Sequence, residues 1–493
     1  MLFNSYTFLA FLPILWFAWS ALNRFRLFRA AQLALVIGSF VFYGKEDYKL
    51  CFLLAFSIAI NYLFHLGLTW EKGGKFIRGL LLAAGLLLNL GLLFYFKYLD
   101  FTINNWNRLF GTGFALRGIA LPLGISFYTF QQLSFVIDSY KKSMGRYSFP
   151  EYCLFVCFFP QLVAGPIVLH QEMIPQLKKA KETNSRVSSE EHYENMLSGI
   201  EYFVIGFAKK VMIADSFARI CDAGYDNLAE LSSVSAMLTI LAFTLQIYFD
   251  FSGYCDMALG LGRLFDIRLP KNFDSPYKAA NIADFWRRWH MTLTRFLTTY
   301  VYIPLGGNRR GMVQTCVNIM IVFTVSGLWH GAAWTYVLWG MLHGAAMVIY
   351  RVGKKLIDRL PKTLVWLATF LFVNGAWVFF RAEYFGQSRQ LFGRLTAGGI
   401  QLHPDMIAAV WDHTMWKVTL ERLVSGQALQ VIGAFAVTGW FVLWTVICVK
   451  LPSSHEMVER RRRGTAYYIT LGAAFAAAFL QLSQVSKFIY FNF

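Results

Sequence analysis

Two histidine-bearing segments carry the chemistry in this sequence. The first reads SGLWHGAAWTYVLWGMLHG, Ser326–Gly344. His330 stands between Gly327 and Gly331, with Trp329 beside it and Trp334 one turn on. Small residues let another chain or a substrate approach the backbone closely. Two apolar runs meet here, and the first, Thr315–Trp329, is shorter than the roughly 20 residues of a membrane span. That sinks His330 below the surface, at the floor of a cavity. A neutral imidazole with a pKa near ambient suits general-base work. A packed histidine in a glycine-mediated helix contact is the competing reading, and spacing leaves both open. His343 reads as a packing or hydrogen-bonding group at a different level.

The second segment is DFWRRWHMTLTRFLTTY, Asp284–Tyr300. Trp286, Trp289, Leu293, Phe296, Leu297 and Tyr300 fall on one face at helical period. Arg287, Arg288 and Arg295 point elsewhere. The pattern predicts one amphipathic helix lying in the membrane interface, capped by Asp284 and ended by the turn Pro304–Gly311. His290 falls on its apolar side. Histidines there are more often satisfied core groups, but the arginines offer a clamp for an anionic donor.

Asp250 and Asp256 occur in YFDFSGYCDMALGLG, Tyr248–Gly262. Carboxylates at the end of a span usually cap helices or pair with a base; the functional alternative is orienting a catalytic imidazole. No HExxH or close His/Cys pair exists, so no metal is indicated. His170, His192, His403, His413 and His455 fall in loops and are expected to be solvated. His65 lies in an apolar run and is expected to be paired structurally.

The elements that position these groups must be membrane helices. Of 493 residues, 57% are hydrophobic, 18% aromatic and 15% charged, against about 25% charged in soluble proteins. A soluble enzyme or a disordered chain is therefore excluded. Twelve membrane spans are expected: Tyr6–Leu22, Ala31–Tyr43, Leu50–Leu68, Gly79–Phe96, Leu121–Ile137, Met196–Ala214, Val234–Phe249, Thr315–Trp329, Ala332–Tyr350, Thr363–Phe380, Leu429–Val449 and Ala466–Leu482. A further run, Tyr152–Leu169, holds Pro160, Gly165 and Pro166 between two basic flanks. It reads as re-entrant, a form that must be buried in protein or line a cavity.

Charge orients the spans. Basic clusters at Arg24–Arg29, Lys72–Arg78, Lys141–Arg146, Lys178–Arg186, Arg309–Arg310, Arg351–Lys362 and Arg460–Arg463 all fall inside if both termini lie outside. The net charge of +18 then reads as an inner-face bias and not as a nucleic-acid surface. Lys209 and Lys210 are awkward, near the outer end of their run. The longest outer loop is Arg381–Ala428. Met1–Phe8 carries no basic residue, unlike a signal peptide, and reads as the start of a retained first helix. The seven cysteines show no metal or redox spacing; Cys153 and Cys157 read as small hydrophobes. No repeat or soluble domain stands out, so residues 1–493 read as one membrane domain.

These segments resemble the membrane-bound O-acyltransferases, most closely the alginate O-acetyltransferase branch. The resemblance runs through MLFNSYTFLAFLP at Met1–Pro13, LPLGISFYTFQQLSFVIDSY at Leu121–Tyr140, FPQLVAGPI at Phe159–Ile167 and YFDFSGYCDMALGLGRLF at Tyr248–Phe265. It continues through NFDSPYKAANIADFWRRWHMTLTRFLTTYVYIPLGGNRRG at Asn272–Gly311, GLWHGAAWTYVLWGMLHG at Gly327–Gly344, WVFFRA at Trp377–Ala382 and FIYFNF at Phe488–Phe493. It implies an all-α polytopic bundle with a funnel-like core at about 121–350, in a bacterial inner membrane with both termini periplasmic. The family's nearly invariant histidine falls on His330 and its second characteristic histidine on His290.

The activity so implied is transfer of an acetyl group from cytoplasmic acetyl-CoA toward an exported polysaccharide, such as alginate or cellulose, with a periplasmic acetyltransferase as partner. His330 would be the general base or, alternatively, a nucleophile through an acyl-imidazole. His290 would position the donor or stabilise the oxyanion. Arg287, Arg288, Arg295, Trp329, Trp334, Asp250, Asp256 and His343 complete the candidate donor- and substrate-contacting set. D-alanyl or lipid acyl transfer are alternatives within the resemblance; a secondary transporter or a non-catalytic export subunit are alternatives outside it. Inverted repeats would mark a transporter, and none is found.

Overall fold

The computed structural model describes residues 1–70, 74–142, 144–182, 188–411, 426–460, 464–482 and 489; His413 lies outside them. Every regular element described is helical, and each of the twelve apolar runs forms a helix. Among the described residues seven helices, against the twelve spans expected, are long and apolar enough to cross a membrane: Tyr6–Arg24, Lys49–Leu68, Lys75–Phe110, Ser233–Leu264, Gly311–His330, Lys362–Arg381 and Gln430–Lys450. Phe28–Gly44 and Thr465–Leu480 are shorter apolar helices. Large apolar side chains such as Ile14, Leu87 and Val313 are exposed, which suits lipid and not water. This is a multi-pass membrane protein.

The chain forms two compact units. One comprises Met1–Ile205 with Tyr254–Lys271, the other Gly206–Gly253 with Asn272–Phe493.

In the first unit the run that reads as re-entrant is a helix, Phe149–Cys157, that stops at Phe158 and restarts as Phe159–Leu162, with Pro160 in its first turn. A nine-residue helix extends about 14 Å and cannot cross a hydrocarbon core of about 30 Å. Residues 151–168 are all buried, so protein covers the irregular backbone, as an apolar solvent requires. His170 is not solvated. It opens the helix His170–Glu182, is fully buried, and bonds Asp138 Oδ2 at 3.1 Å and the Tyr147 hydroxyl at 3.2 Å. A carboxylate buried on a helix needs such a partner. His65 is paired, to Ser139 Oγ at 2.8 Å. His192 lies within the helix Ser189–Ala208 and meets Asp266 at 3.0 Å.

The second unit resolves the awkward lysines. Lys210 sits in a π-helical turn, Lys209–Ala214. Its ammonium lies 2.7 Å from both Asp215 Oδ1 and Asp250 Oδ1. Asp250 Oδ2 also accepts from the Ile489 amide at 2.8 Å. Lys210 is thus charge-paired in the interior and does not count toward loop charge. Lys209 donates to Ser454 Oγ at 3.2 Å.

Among its described residues, the stretch expected to be one long loop after Arg381 holds two helices, Phe385–Arg394 and Pro404–Trp411. Side-chain and backbone bonds fold it back: Arg394 Nε to Leu231 O at 2.7 Å, Asn227 Nδ2 to Asp405 Oδ2 at 2.9 Å, and Arg219 Nε to Ala409 O at 3.1 Å. His403 in this stretch is mostly covered, 3.5 Å from Glu230.

Candidate active site

His330 is the last residue of the helix Gly311–His330, and the next helix begins at Trp334. The two helices touch backbone to backbone. A Cβ on Gly327 would stand 2.3 Å from Tyr336 O, and one on Gly340 the same distance from Phe323 O. Neither neighbour is a side chain that can move aside. Gly327→Ala is expected to lose about 1–3 kcal/mol of stability through overpacking. Thermal unfolding in detergent would measure it, and an unchanged Tm would refute the close approach. This contact turns His330 inward, where it is 3% exposed.

His290 arrives by a different route. The sequence predicts one amphipathic helix across Asp284–Tyr300; the structure has two, Ile282–Arg288 and Met291–Leu297, followed by a π-turn at Thr298–Tyr302. The break falls on His290, whose φ is +44° and ψ 51°. A left-handed backbone is costly for a residue with a Cβ, and Asn272 stabilises it. Its Oδ1 accepts from Thr292 N at 3.2 Å and from Thr292 Oγ1 at 3.0 Å, and lies 3.1 Å from His290 Nδ1. Its carbonyl accepts from Met291 N at 3.0 Å.

The cap of the first piece is Asn281, which accepts from Asp284 N at 2.9 Å, and not Asp284. The Asp284 carboxylate instead accepts from Ala280 N and from Arg288 Nε, at 3.0 and 3.1 Å. The apolar face is covered by protein: Trp286, Trp289, Leu293, Phe296 and Leu297 are each at most 5% exposed.

The two pieces meet in an aromatic box. The His290 and His330 ring centroids are 6.2 Å apart. Around His330 stand Trp329 at 4.8 Å, Trp339 at 5.1 Å and Phe380 at 5.2 Å. Phe251 lies edge-on to His290 at 4.8 Å. His343 is linked to the box through Trp339. Trp339 touches it at 4.9 Å, so one indole spans His330 and His343. Trp286 Nε1 donates to His343 Nδ1 at 3.3 Å, which is the hydrogen-bonding role the sequence suggests.

Beside the box lies a cavity of about 460 Å³. Trp286, Phe323 and Ser326 wall it on the side of the box, and Arg287, Arg351 and Lys354 supply positive charge. Of the three arginines singled out in the sequence, Arg287 lines this cavity. Arg288 is occupied by Asp284 and by the Asp274 carbonyl at 3.1 Å, and Arg295 is not part of the lining. Trp334 is half exposed. Asp250 pairs with Lys210 and orients neither histidine; Asp256 falls in the first unit.

Sequence reasoning passed over Asn272, Trp339, Arg351 and Lys354 as site residues. Arg351 and Lys354 were visible as an inner-face cluster. Asn272 had no local signal, since its partners are 18 and 20 residues away.

Chemically, the box offers two imidazoles too far apart for a direct hydrogen bond of about 3 Å, yet close enough for one oxygen to bridge them. The family model described as membrane-bound O-acyltransferase matches residues 3–385. A peptidoglycan O-acetyltransferase from Helicobacter pylori is 39% identical over 533 aligned residues, covering 100% of this chain and 98% of that protein. A probable alginate O-acetylase from Pseudomonas aeruginosa is 38% identical over 393 residues, 78% of this chain and 72% of that one. A teichoic acid D-alanyltransferase from Bacillus subtilis is 26% identical over 242 residues, 47% of this chain and 60% of that one.

Proposed function

We propose, for a chain that belongs to the membrane-bound O-acyltransferase family and is therefore a membrane O-acyltransferase, that the group transferred is acetyl. The donor is cytoplasmic acetyl-CoA, and the acceptor is a hydroxyl of an exported or cell-envelope polysaccharide. Family membership sets aside the transporter and the non-catalytic subunit. Likeness to an alginate O-acetylase and, along the whole chain, to a peptidoglycan O-acetyltransferase supports acetyl and a glycan acceptor. The basic clusters support the inner membrane, with both termini periplasmic and a periplasmic acetyltransferase taking over the modification.

One observation carries the reading: two histidines from separate segments converge in a buried aromatic box beside a cavity with basic residues. His330 removes the hydroxyl proton as the oxygen attacks the thioester carbonyl. The tetrahedral intermediate collapses, the C–S bond breaks, and His330 returns the proton to the thiolate. Acid-quenched single turnovers with labelled donor separate this route from an acetyl-imidazole on His330.

The test is turnover of radiolabelled acetyl-CoA by the purified protein in lipid nanodiscs, with oligosaccharide acceptor and periplasmic partner added. Thiol release without acetylated product, or neither, would sink the proposal. The cavity makes a further prediction. Arg287→Ala and Arg351→Ala should raise the donor KM severalfold with kcat little changed, the loss of binding felt equally before and in the transition state. The effect should shrink with added salt. An unchanged KM removes this cavity from the donor path.

A further inference from the structure

We propose that Asn272 is a positioning residue that fixes the proton of His290 on Nδ1, leaving Nε2 as a hydrogen-bond acceptor toward the reacting groups. Its catalytic use rests on the acyl-transfer reading above; the tautomer itself does not.

The argument begins at Thr292. Its backbone N–H, which can only donate, points at the Asn272 side-chain atom assigned as Oδ1, 3.2 Å away. Flipping the amide would set NH₂ against N–H, so the assignment holds and that atom is the acceptor. The His290 nitrogen 3.1 Å from the same oxygen must then carry a proton, and it is Nδ1. The left-handed turn at His290 is what swings the ring onto Asn272.

The ring holds no second proton. It is fully buried, and burial lowers its pKa to about 3, because an apolar site disfavours the cation. The groups packed on it include Phe251 from the Ser233–Leu264 helix, Trp329 and His330 from the Gly311–His330 helix, and Asn272 and Thr292. Among these His330 is ionisable. Arg288 and Arg295 flank His290 along the chain, and Arg288 is turned to Asp284.

A neutral imidazole with its proton on Nδ1 cannot donate from Nε2 to an oxyanion. It accepts. The groups of the reaction able to donate there are the acceptor hydroxyl and the thiol released from the donor. His290 therefore joins His330 on the proton-accepting side of the chemistry, and oxyanion stabilisation falls to other donors.

Asn272→Asp tests this. The carboxylate still accepts from Thr292 and Nδ1, but it favours the imidazolium, whose Nε2 has no lone pair. His290 should then take up its second proton about one pH unit or more higher than in wild type, read as the pH at which its ¹⁵N Nε2 resonance becomes that of a protonated nitrogen. A protonation pH that stays put overturns the proposal. A second measurement uses wild-type protein labelled with ¹⁵N-histidine, with His290 assigned by difference against His290→Gln. At neutral pH its Nδ1 should resonate as a protonated nitrogen and its Nε2 as an unprotonated one. The reverse tautomer or an imidazolium refutes the assignment, whatever the protein acylates.

Discussion

His330→Ala should lower acetyl transfer by about 10²–10⁴-fold, the range that a positioned general base contributes, while the protein still inserts and folds. The loss should appear equally in kcat and kcat/KM, with donor KM unchanged, because the proton is moved only in the transition state. The rival explanation is packing. His330 is 3% exposed and touches Trp339 and Phe380, so truncation also leaves a void. His330→Gln separates the two: it keeps most of the volume and a hydrogen-bonding end but has no imidazole. If His330 is the base, Gln is as inactive as Ala and unfolds near the wild-type temperature. Near wild-type transfer by either variant would end the assignment.

What the sequence made legible follows from the range of the forces involved. Helix positions were readable, because apolar run length and period are local properties of the chain. The end of the helix at His330 was readable too, but the short run was not: the helix Gly311–His330 has 20 residues and is long enough to cross, so the burial of His330 comes from its packing and not from a short span. The break at His290 was not readable. No glycine or proline marks it, and the amphipathic period continues across it. What makes the left-handed turn affordable is Asn272, 18 residues earlier.

His170 shows the same limit. Its local sequence looks like a loop, and its burial is decided by Asp138, 32 residues away. The loop after Arg381 gains its helices by bonding to Asn227 and Leu231. Polar residues were thus easy to find and hard to assign, since a buried polar group is defined by a partner that the local pattern does not name.

Lys210→Met should destabilise the protein by about 3–5 kcal/mol, the cost of stripping one partner from a buried ion pair. The ammonium stands 2.7 Å from two carboxylates, with side-chain exposures of 3% for Lys210 and 2% for Asp215 and Asp250. Without it, two like charges face each other where water cannot screen them. One would have to take up a proton, and the Asp250 contact to the Ile489 amide would weaken with its charge. The Ile489 contact should therefore loosen together with the helix Asp215–Asp226. Thermal unfolding in detergent and limited proteolysis from the C-terminus would follow both.

The sign of a second variant decides the cause. In Lys210→Met/Asp215→Asn/Asp250→Asn the charges are gone and the shapes kept, and replacing a whole buried ionic group is often neutral. Most of the lost stability should return. If the triple variant is no better than Lys210→Met, the lysine's stem matters through packing and not through charge. If Lys210→Met is as stable as wild type, the buried triad is not a structural unit.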